Sequence, residues 1–474
     1  MLPPLDADQT MEALEVALKS AAADELEIAV LARAVEYTRF AGQVIHQPQD
    51  ITEVQYLVRA LVNGHPYRVA TATAAGLGPA VAAAADGARA RAGIAAASGR
   101  AGAAGRVSLA GPPQPDSGTA GIHWYDDTAG YDAGTRSALA KAAMADAIAA
   151  GGEAAGMLGR AVTQQLVATT SGIRRATAAT EASGALTVTT DDGTSHWIDL
   201  SRSAARLDVA RSVTRAIAQA RASRGRTELP AGRYEVVLGA EAMGELLGFL
   251  PDLGFSGTLA AAGIGITGRA GQQAASPLVA VADDGGADIG LPIGFDIEGV
   301  TKRRVDFFSG GRVGEPVTDL ATGAALRRPS TGHAHIAREQ VPEPTAANIV
   351  MSPGSHSEDE LIAHVERGVY LQRFWYTRLV DRMTATITGV TRDACFLIED
   401  GRLTTPLAGL RFTESVLGVL AGVEAVGSGV RSQPIMNVWN GVVSAPAVRS
   451  RAFRLGAAPI EAAPIEAAPE EGAS

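Results

Sequence analysis

From residue 232 onward the chain keeps setting a short apolar run against a turn: YEVVLG (234–239), SPLVAVADD (276–284), RRVDFFSGG (303–311), MTATITGV (383–390), CFLIEDG (395–401) and NGVVSAP (440–446). Runs of this length, rich in β-branched and aromatic side chains and bounded by Gly, Pro, Asp or Ser, have the composition of strands. A segment built this way can bury its apolar groups only by pairing strands into sheets. Just two stretches of this half read as helix, ELLGFL (245–250) and SEDELIAHVERG (357–368), the second with Ser357 and Glu360 spaced as a capping box.

The first half is organised differently. From Met11 to about Arg39 apolar residues recur three or four apart, which predicts an amphipathic helix. YTRFAGQVIHQ (37–47) and VQYLVRALV (54–62) predict strands, the second followed by an Asn63-Gly64-His65 turn. Residues 72–106 are mostly Ala and Gly, which suits a small-residue helix packed closely on a sheet, with low complexity as the competing reading. GPPQPDSGTAGIHWYDD (111–127) marks a boundary. Beyond it come a helix ended by Gly151 and Gly152, strands at 162–170 and 185–200 with a hairpin at Asp192-Gly193, and a helix over 203–223. RGRTELPAGRYE (224–235) marks a second boundary. The fold class is therefore α+β: an N-terminal α/β-type two-layer region followed by a mainly β C-terminal domain. The expected units are 1–110, 111–225 and 226–456, then a tail, 457–474, whose Ala-Pro-Glu repeats bury nothing and are expected to be disordered.

Composition excludes several classes of function. A net charge of −10 without a basic face argues against nucleic acid as partner, and KRR at 302–304 reads as a solvated strand end. No run of about 18 apolar residues occurs, so no membrane span is expected. The first residues carry acids before any apolar segment and lack a basic region, unlike a signal peptide. The single Cys395 permits no internal disulfide and no cysteine-based zinc site, which fits the cytoplasm.

Catalytic patterns are missing. A metalloprotease helix needs two imidazoles on one face and a carboxylate to activate the metal-bound water. None of the eight histidines is followed by Glu. The nearest metal-like pair is His333 and His335, which would share a face of a strand, with Asp319 or Glu298 as a third ligand. Cys395, in an apolar strand, reads as a small buried hydrophobe. GIGITG (263–268) matches a dinucleotide fingerprint, with Asp283 and Asp284 about 20 residues on, but no buried strand precedes it and Gly271 and Pro277 break the helix that should follow. The paired acids of FDIEG (295–299) and ADDGG (282–286) read as turn and edge residues.

DDGGADIGLPIGFDIEGV (283–300), STGHA (330–334), SPGSHSEDELIAHVERGVYLQRF (352–374) and CFLIEDGRLTTPLAGLRF (395–412) come in an order that resembles the TldD/PmbA family, whose PmbA branch is also called TldE. The resemblance spans roughly 230–455 and implies a C-terminal domain of the TldD/PmbA type, in a cytoplasmic metalloprotease system of two homologous chains acting on unfolded peptides. The TldD-type chain carries a zinc-binding His-Glu-x-x-x-His helix and a Cys ligand; the PmbA/TldE-type chain lacks them. Aligned on that pattern, VVLGAEAMGELLGFLPDL places Gly248 and Phe249 at the His-Glu positions and Leu253 at the second His, and GSGVRSQPIMNVWNGVVSAP (427–446) offers no Cys. The resemblance thus implies a non-catalytic subunit without cofactor, with zinc in a TldD-type partner and self-association as an option when alone. The alternatives are a metal-dependent hydrolase using His333 and His335, or a stand-alone peptide-binding scaffold.

Overall fold

The computed structural model describes residues 1–20, 23–98, 107–111, 123–336, 342–435 and 441–457. The first half supplies α1 (Ala7–Lys19), β1 (Glu25–Ala41), β2 (Val44–Val62), β3 (His65–Thr71), α2 (Leu77–Ala97), α3 (Asp126–Ala129) and α4 (Ala133–Ala149). It continues with β4 (Glu153–Thr169), β5 (Arg174–Thr190), β6 (Gly193–Ser201) and α5 (Val209–Ala222). The six strands form one antiparallel sheet in the order β3-β2-β1-β4-β5-β6. Strands from 1–110 and from 111–225 therefore share a sheet, joined where β1 pairs with β4. Most of the segment that marked a boundary at 111–127 lies outside the described residues.

Turn chemistry sets the hairpins. Asn63 and Gly64 have φ of 51° and 75°, the left-handed pair that a two-residue hairpin turn requires. The β5–β6 turn sits one residue earlier than expected, on Asp191 (φ 51°) and Asp192, and Gly193 opens β6. The small-residue helix is present as α2, and its packing is close: a Cβ on Gly87 would lie 2.3 Å from the Tyr67 ring.

The long helix expected from Met11 to Arg39 is a correction. It ends at Lys19, and the remainder is the strand β1. Leu26, Ile28 and Val30 pack under α1 and α2, whereas Ala29 and Leu31 face Ile173, Phe295 and Ile297 on the opposite side of the sheet. A strand covered on both faces loses its polar alternation, and its apolar run then mimics helical spacing.

The second half begins with β7 (Gly232–Leu238), α6 (Ala240–Leu247), α7 (Gly257–Ala261), β8 (Val281–Asp283), β9 (Val305–Ser309), β10 (Arg312–Val313) and α8 (Leu320–Ala325). There follow β11 (Ala334–Ile336), β12 (Pro342–Pro344), β13 (Asn348–Met351), α9 (Glu358–Ala363), β14 (Arg367–Asp381) and β15 (Thr386–Glu399). The last elements are β16 (Arg402–Pro406), β17 (Leu410–Ser415), α10 (Val416–Ala421), β18 (Val423–Pro434) and β19 (Val442–Ala457). Each apolar run named above contributes to a strand, and α9 carries the expected Ser357–Glu360 capping box. The helices α7, α8 and α10 had no sequence signal, because five or six residues are too few for a period to show. The Ala-Pro-Glu tail beyond Ala457 lies outside the described residues.

Strands β19, β17, β15, β14 and β7 pair in a closed circuit, since β7 bonds to β14 on one side and to β19 on the other. Closure removes free edges from this part of the sheet. Phe374, Phe412 and Phe453 from three of these strands stack together with centroids 4.5–5.6 Å apart. The mixed α+β architecture expected from sequence is what forms.

The two halves are joined by buried polar groups. Arg59 of β2 pairs with Glu27 of β1 and with Glu298 of the second half, and Glu298 also accepts the Leu320 N–H at 2.8 Å. Gln165 donates to the Phe295 carbonyl at 3.0 Å, and Arg175 lies 4.4 Å above the Phe295 ring. Removing one partner of a buried ion pair strands the other charge, at a cost of about 3–5 kcal/mol. Arg59→Ala is expected to lower unfolding free energy by about that amount, read from the denaturant midpoint.

Candidate functional site

Strand β7 leads through Gly239 directly into α6. A Cβ on Gly239 would lie 3.1 Å from the Gln372 carbonyl, so the chain passes closely beneath β14 before turning into the helix. All eight residues of α6 are buried, as in a helix enclosed on every side. It stops at Leu247, with Gly248 as its C-cap; a 3₁₀ turn follows over Pro251–Leu253, and Gly254 (φ 118°) reverses the chain against Gly265. Phe249 and Leu253, each 1% exposed, belong to the central apolar cluster with Phe255, Phe307 and Phe308. Zinc requires nitrogen, sulfur or oxygen donors. Gly248, Phe249 and Leu253 supply none, so these residues do not fit the metal of the active chain's pattern.

The two acids of this helix have structural partners from the other half and from β14. Glu241 accepts from His196 Nδ1 of β6 at 2.7 Å, and Arg431 lies 3.8 Å away. Glu245 accepts from the Thr377 hydroxyl, and burial raises its pKa. Beside them Asp199 of β6 accepts the Ser432 N–H at 3.1 Å, and burial pushes its pKa up to about 6. His196 and Asp199 bring polar groups from the N-terminal sheet to α6 and β18, so this cluster registers one half on the other. It could not be found locally, because His196 and Glu241 are 45 residues apart.

His333 and His335 have separate roles. His333 precedes β11; its Nε2 lies 2.8 Å from Asp283 Oδ1, and its Nδ1 lies 2.9 Å from both Thr331 oxygens. Both ring nitrogens are thus engaged within the fold. Asp283 also accepts the Ala347 and Asn348 N–H groups at 2.6 and 2.9 Å. Burial opposes its ionisation, yet His333, Lys302 and these hydrogen bonds hold its carboxyl below the usual range. The other supposed ligands are also committed, Glu298 to Arg59 and Asp319 to capping α8. Among the described residues no three His, Cys, Asp or Glu side chains are grouped to hold a metal ion. Cys395 is buried, which pushes its thiol pKa up to about 11. GIGITG follows helix α7 and runs into a 3₁₀ turn at Ile266–Arg269, so the strand and helix of a dinucleotide site are not at its flanks.

FDIEG is a turn, as expected, but a buried one. Asp296 accepts from the Glu298, Val300 and Ala334 N–H groups, and burial together with Glu298 raises its pKa well above the ordinary value. This turn forms one wall of a cleft of about 940 Å³ between the N-terminal sheet and the second half. The sheet contributes Leu31, Thr163, Gln165 and 52–55, and the opposite wall contributes Ile293, 295–297, Lys302 and His335. β3 pairs with β2 only from Tyr56 to Val62. The outer edge of β2 from Val44 to Gln55 therefore has no strand partner among the described residues, and its last residues line the cleft. An unpaired edge beside a cleft can accept an extended polypeptide through main-chain hydrogen bonds. Sequence reading missed the cleft because its lining comes from segments spread over residues 31–347.

Residues 231–457 match the family described as PmbA/TldA metallopeptidase C-terminal domain. The chain is 29% identical over 216 residues to "Metalloprotease TldD homolog" of Haemophilus influenzae, an alignment covering 44% of each. It is 28% identical over 208 residues to a "Metalloprotease" of Methanothermobacter thermautotrophicus, covering 43% of this chain and 44% of that one. The chain thus spans less than half the length of these curated relatives in the matched region. The crystal structure of TldE from Thermococcus kodakarensis superposes with a TM-score of 0.81 at 18% identity, covering 95% of this chain and 100% of that one, and so shares the fold.

Two outcomes follow for this seam. Phe249→Ala is expected to cost about 3–5 kcal/mol in a denaturant melt, as for other buried Phe truncations. Because the Asp199 pKa is raised on folding, the folded state holds that proton more tightly. Its contribution is present at low pH and is lost as pH rises through about 6. Asp199→Asn, which keeps the acceptor, should gain stability relative to wild type by about 2 kcal/mol between pH 4 and pH 7.5, one pKa unit being worth about 1.4 kcal/mol and part of the change lying below pH 4.

Proposed function

Since residues 231–457 match the PmbA/TldA metallopeptidase C-terminal domain family, we propose that this chain is a TldE/PmbA-like subunit without a zinc site. It pairs with a TldD-type zinc metalloprotease and helps process or degrade unfolded peptides. The observation that carries this reading is the state of the β7–α6 unit. Phe249 and Leu253 belong to the hydrophobic core and Gly248 is the buried C-cap of α6, so no rotamer change could present a side-chain donor. The likeness of fold to TldE supports it further.

In this reading the zinc and its activated water belong to the partner, and this chain contributes walls. The cleft and the free edge of β2 receive an extended peptide by main-chain pairing, which demands little of its sequence. The cluster around Glu241 and His196 keeps α6 fixed against the N-terminal sheet, so that a helix without catalytic groups still presents a firm surface to a partner. The cytoplasm is the compartment this reading implies, in keeping with a lone buried thiol.

The test is elemental mass spectrometry of the purified chain after dialysis against metal-free buffer, together with peptide hydrolysis by the chain alone and mixed with a His-Glu-x-x-x-His partner from the same genome. Substoichiometric zinc, no hydrolysis alone and chelator-sensitive hydrolysis in the mixture are expected. About one firmly held zinc per chain, with hydrolysis by the chain alone that a chelator abolishes, would overturn the reading. Binding of peptides with no gain in hydrolysis from any partner would instead favour the stand-alone scaffold.

A further inference from the structure

Lys302 is only 6% exposed, yet it lines the cleft. Among the described residues no carboxylate lies within ion-pair distance of its ammonium. The nearby Asp283 has its oxygens occupied by His333 and by the Ala347 and Asn348 N–H groups. The other charged groups of the cleft are accounted for. Arg33 pairs with Glu181, Glu53 stands exposed at the rim, and Asp296 is held by three backbone N–H groups. Lys302 and the ionised Asp283 attract each other at longer range, but among the described residues no acceptor meets the ammonium itself, and burying a cation costs free energy unless one does.

The side chain is also placed in advance. The Lys302 N–H donates to the Gly294 carbonyl at 2.9 Å. Its stem lies across Gly285, where a Cβ would come within 2.7 Å of Lys302 Cδ and 2.8 Å of Cγ. On the other side Gly332 (φ 75°) lets the backbones approach, a Cβ there falling 2.7 Å from Lys302 Cα. His335 lines the same cleft, and burial, with Lys302 next in effect, brings its pKa down to about 4. Its imidazole is therefore neutral at physiological pH and can donate one hydrogen bond without adding charge.

From this geometry we infer that Lys302 and His335 form a recognition point for a single carboxylate of a peptide lying in the cleft. One ammonium and one neutral donor match a monoanion in charge, and a directed donor pair favours a carboxylate over an amide. The free edge of β2, whose residues 52–55 line the same cleft, holds the peptide's backbone while Lys302 reads the charge. The carboxylate comes either from an Asp or Glu side chain or from the end of the peptide chain. This ligand class rests on the peptide-binding reading of the cleft but not on the existence of a partner subunit.

The assignment is tested by calorimetric titration of the purified full chain with three N-acetylated octapeptides of Ala, Ser and Val. One carries a central Glu and a C-terminal amide, the second a central Gln and an amide, and the third the same Gln with a free C-terminal carboxylate. At least tenfold tighter binding of one carboxylate peptide than of the neutral one is expected, and which of them gains names the source. Lys302→Met should abolish that preference and Lys302→Arg should keep it. The comparison among peptides on the unaltered chain stands even if Lys302→Met fails to fold. Equal binding of the three peptides, binding of none, or a preference that survives Lys302→Met would overturn the inference. None of these outcomes bears on whether a zinc-bearing partner restores hydrolysis, so the subunit reading is judged separately.

Discussion

Arg59 holds two carboxylates that belong to different halves of the molecule, Glu27 on the neighbouring strand and Glu298 in the turn of the second half. All three are nearly inaccessible to water, so each depends on the others for its charge to be tolerated. Because Glu298 also takes the first N–H of helix α8, the arrangement places that turn against the sheet. The cleft exists because this contact is made of polar groups at one point while Phe295 and Ile297 meet Ala29 and Val167 beside it. Between these fixed points the remaining surfaces stand apart, and the space left is the cavity that contains Lys302 and His335.

The same logic of positioning governs α6. The helix is held on every side by apolar contacts and at two points by buried acids. Glu241 and Glu245 are the residues that stand out in this stretch of sequence, and both face protein partners. Their role is to fix the helix relative to β6 and β14, which makes the helix a structural beam.

Much of the architecture was legible in the chain. The hairpins announced themselves through Asn63-Gly64 and the Asp191–Gly193 turn, and the strand runs of the second half through their Gly and Asp punctuation. β1 was misread because its two faces are both buried, which only the packing of Phe295 and Ile297 against the sheet explains. That the side chains of Gly248, Phe249 and Leu253 carry no metal donor follows from residue identity alone. His333 and His335 were legible as neighbours but not as separate agents, since Asp283, which engages His333, lies 50 residues away.

By itself the sequence determined the α+β character, the lack of ligand atoms at Gly248, Phe249 and Leu253, and the position of most turns, because each depends on side-chain identity or on local backbone preference. The tertiary structure decided which buried charges face each other across the halves, that one histidine is bound to Asp283 while the other opens to a cleft, and that Lys302 is buried with no carboxylate at ion-pair distance among the described residues. Those facts depend on groups far apart in the chain brought within a few ångströms, and no local pattern encodes such distances.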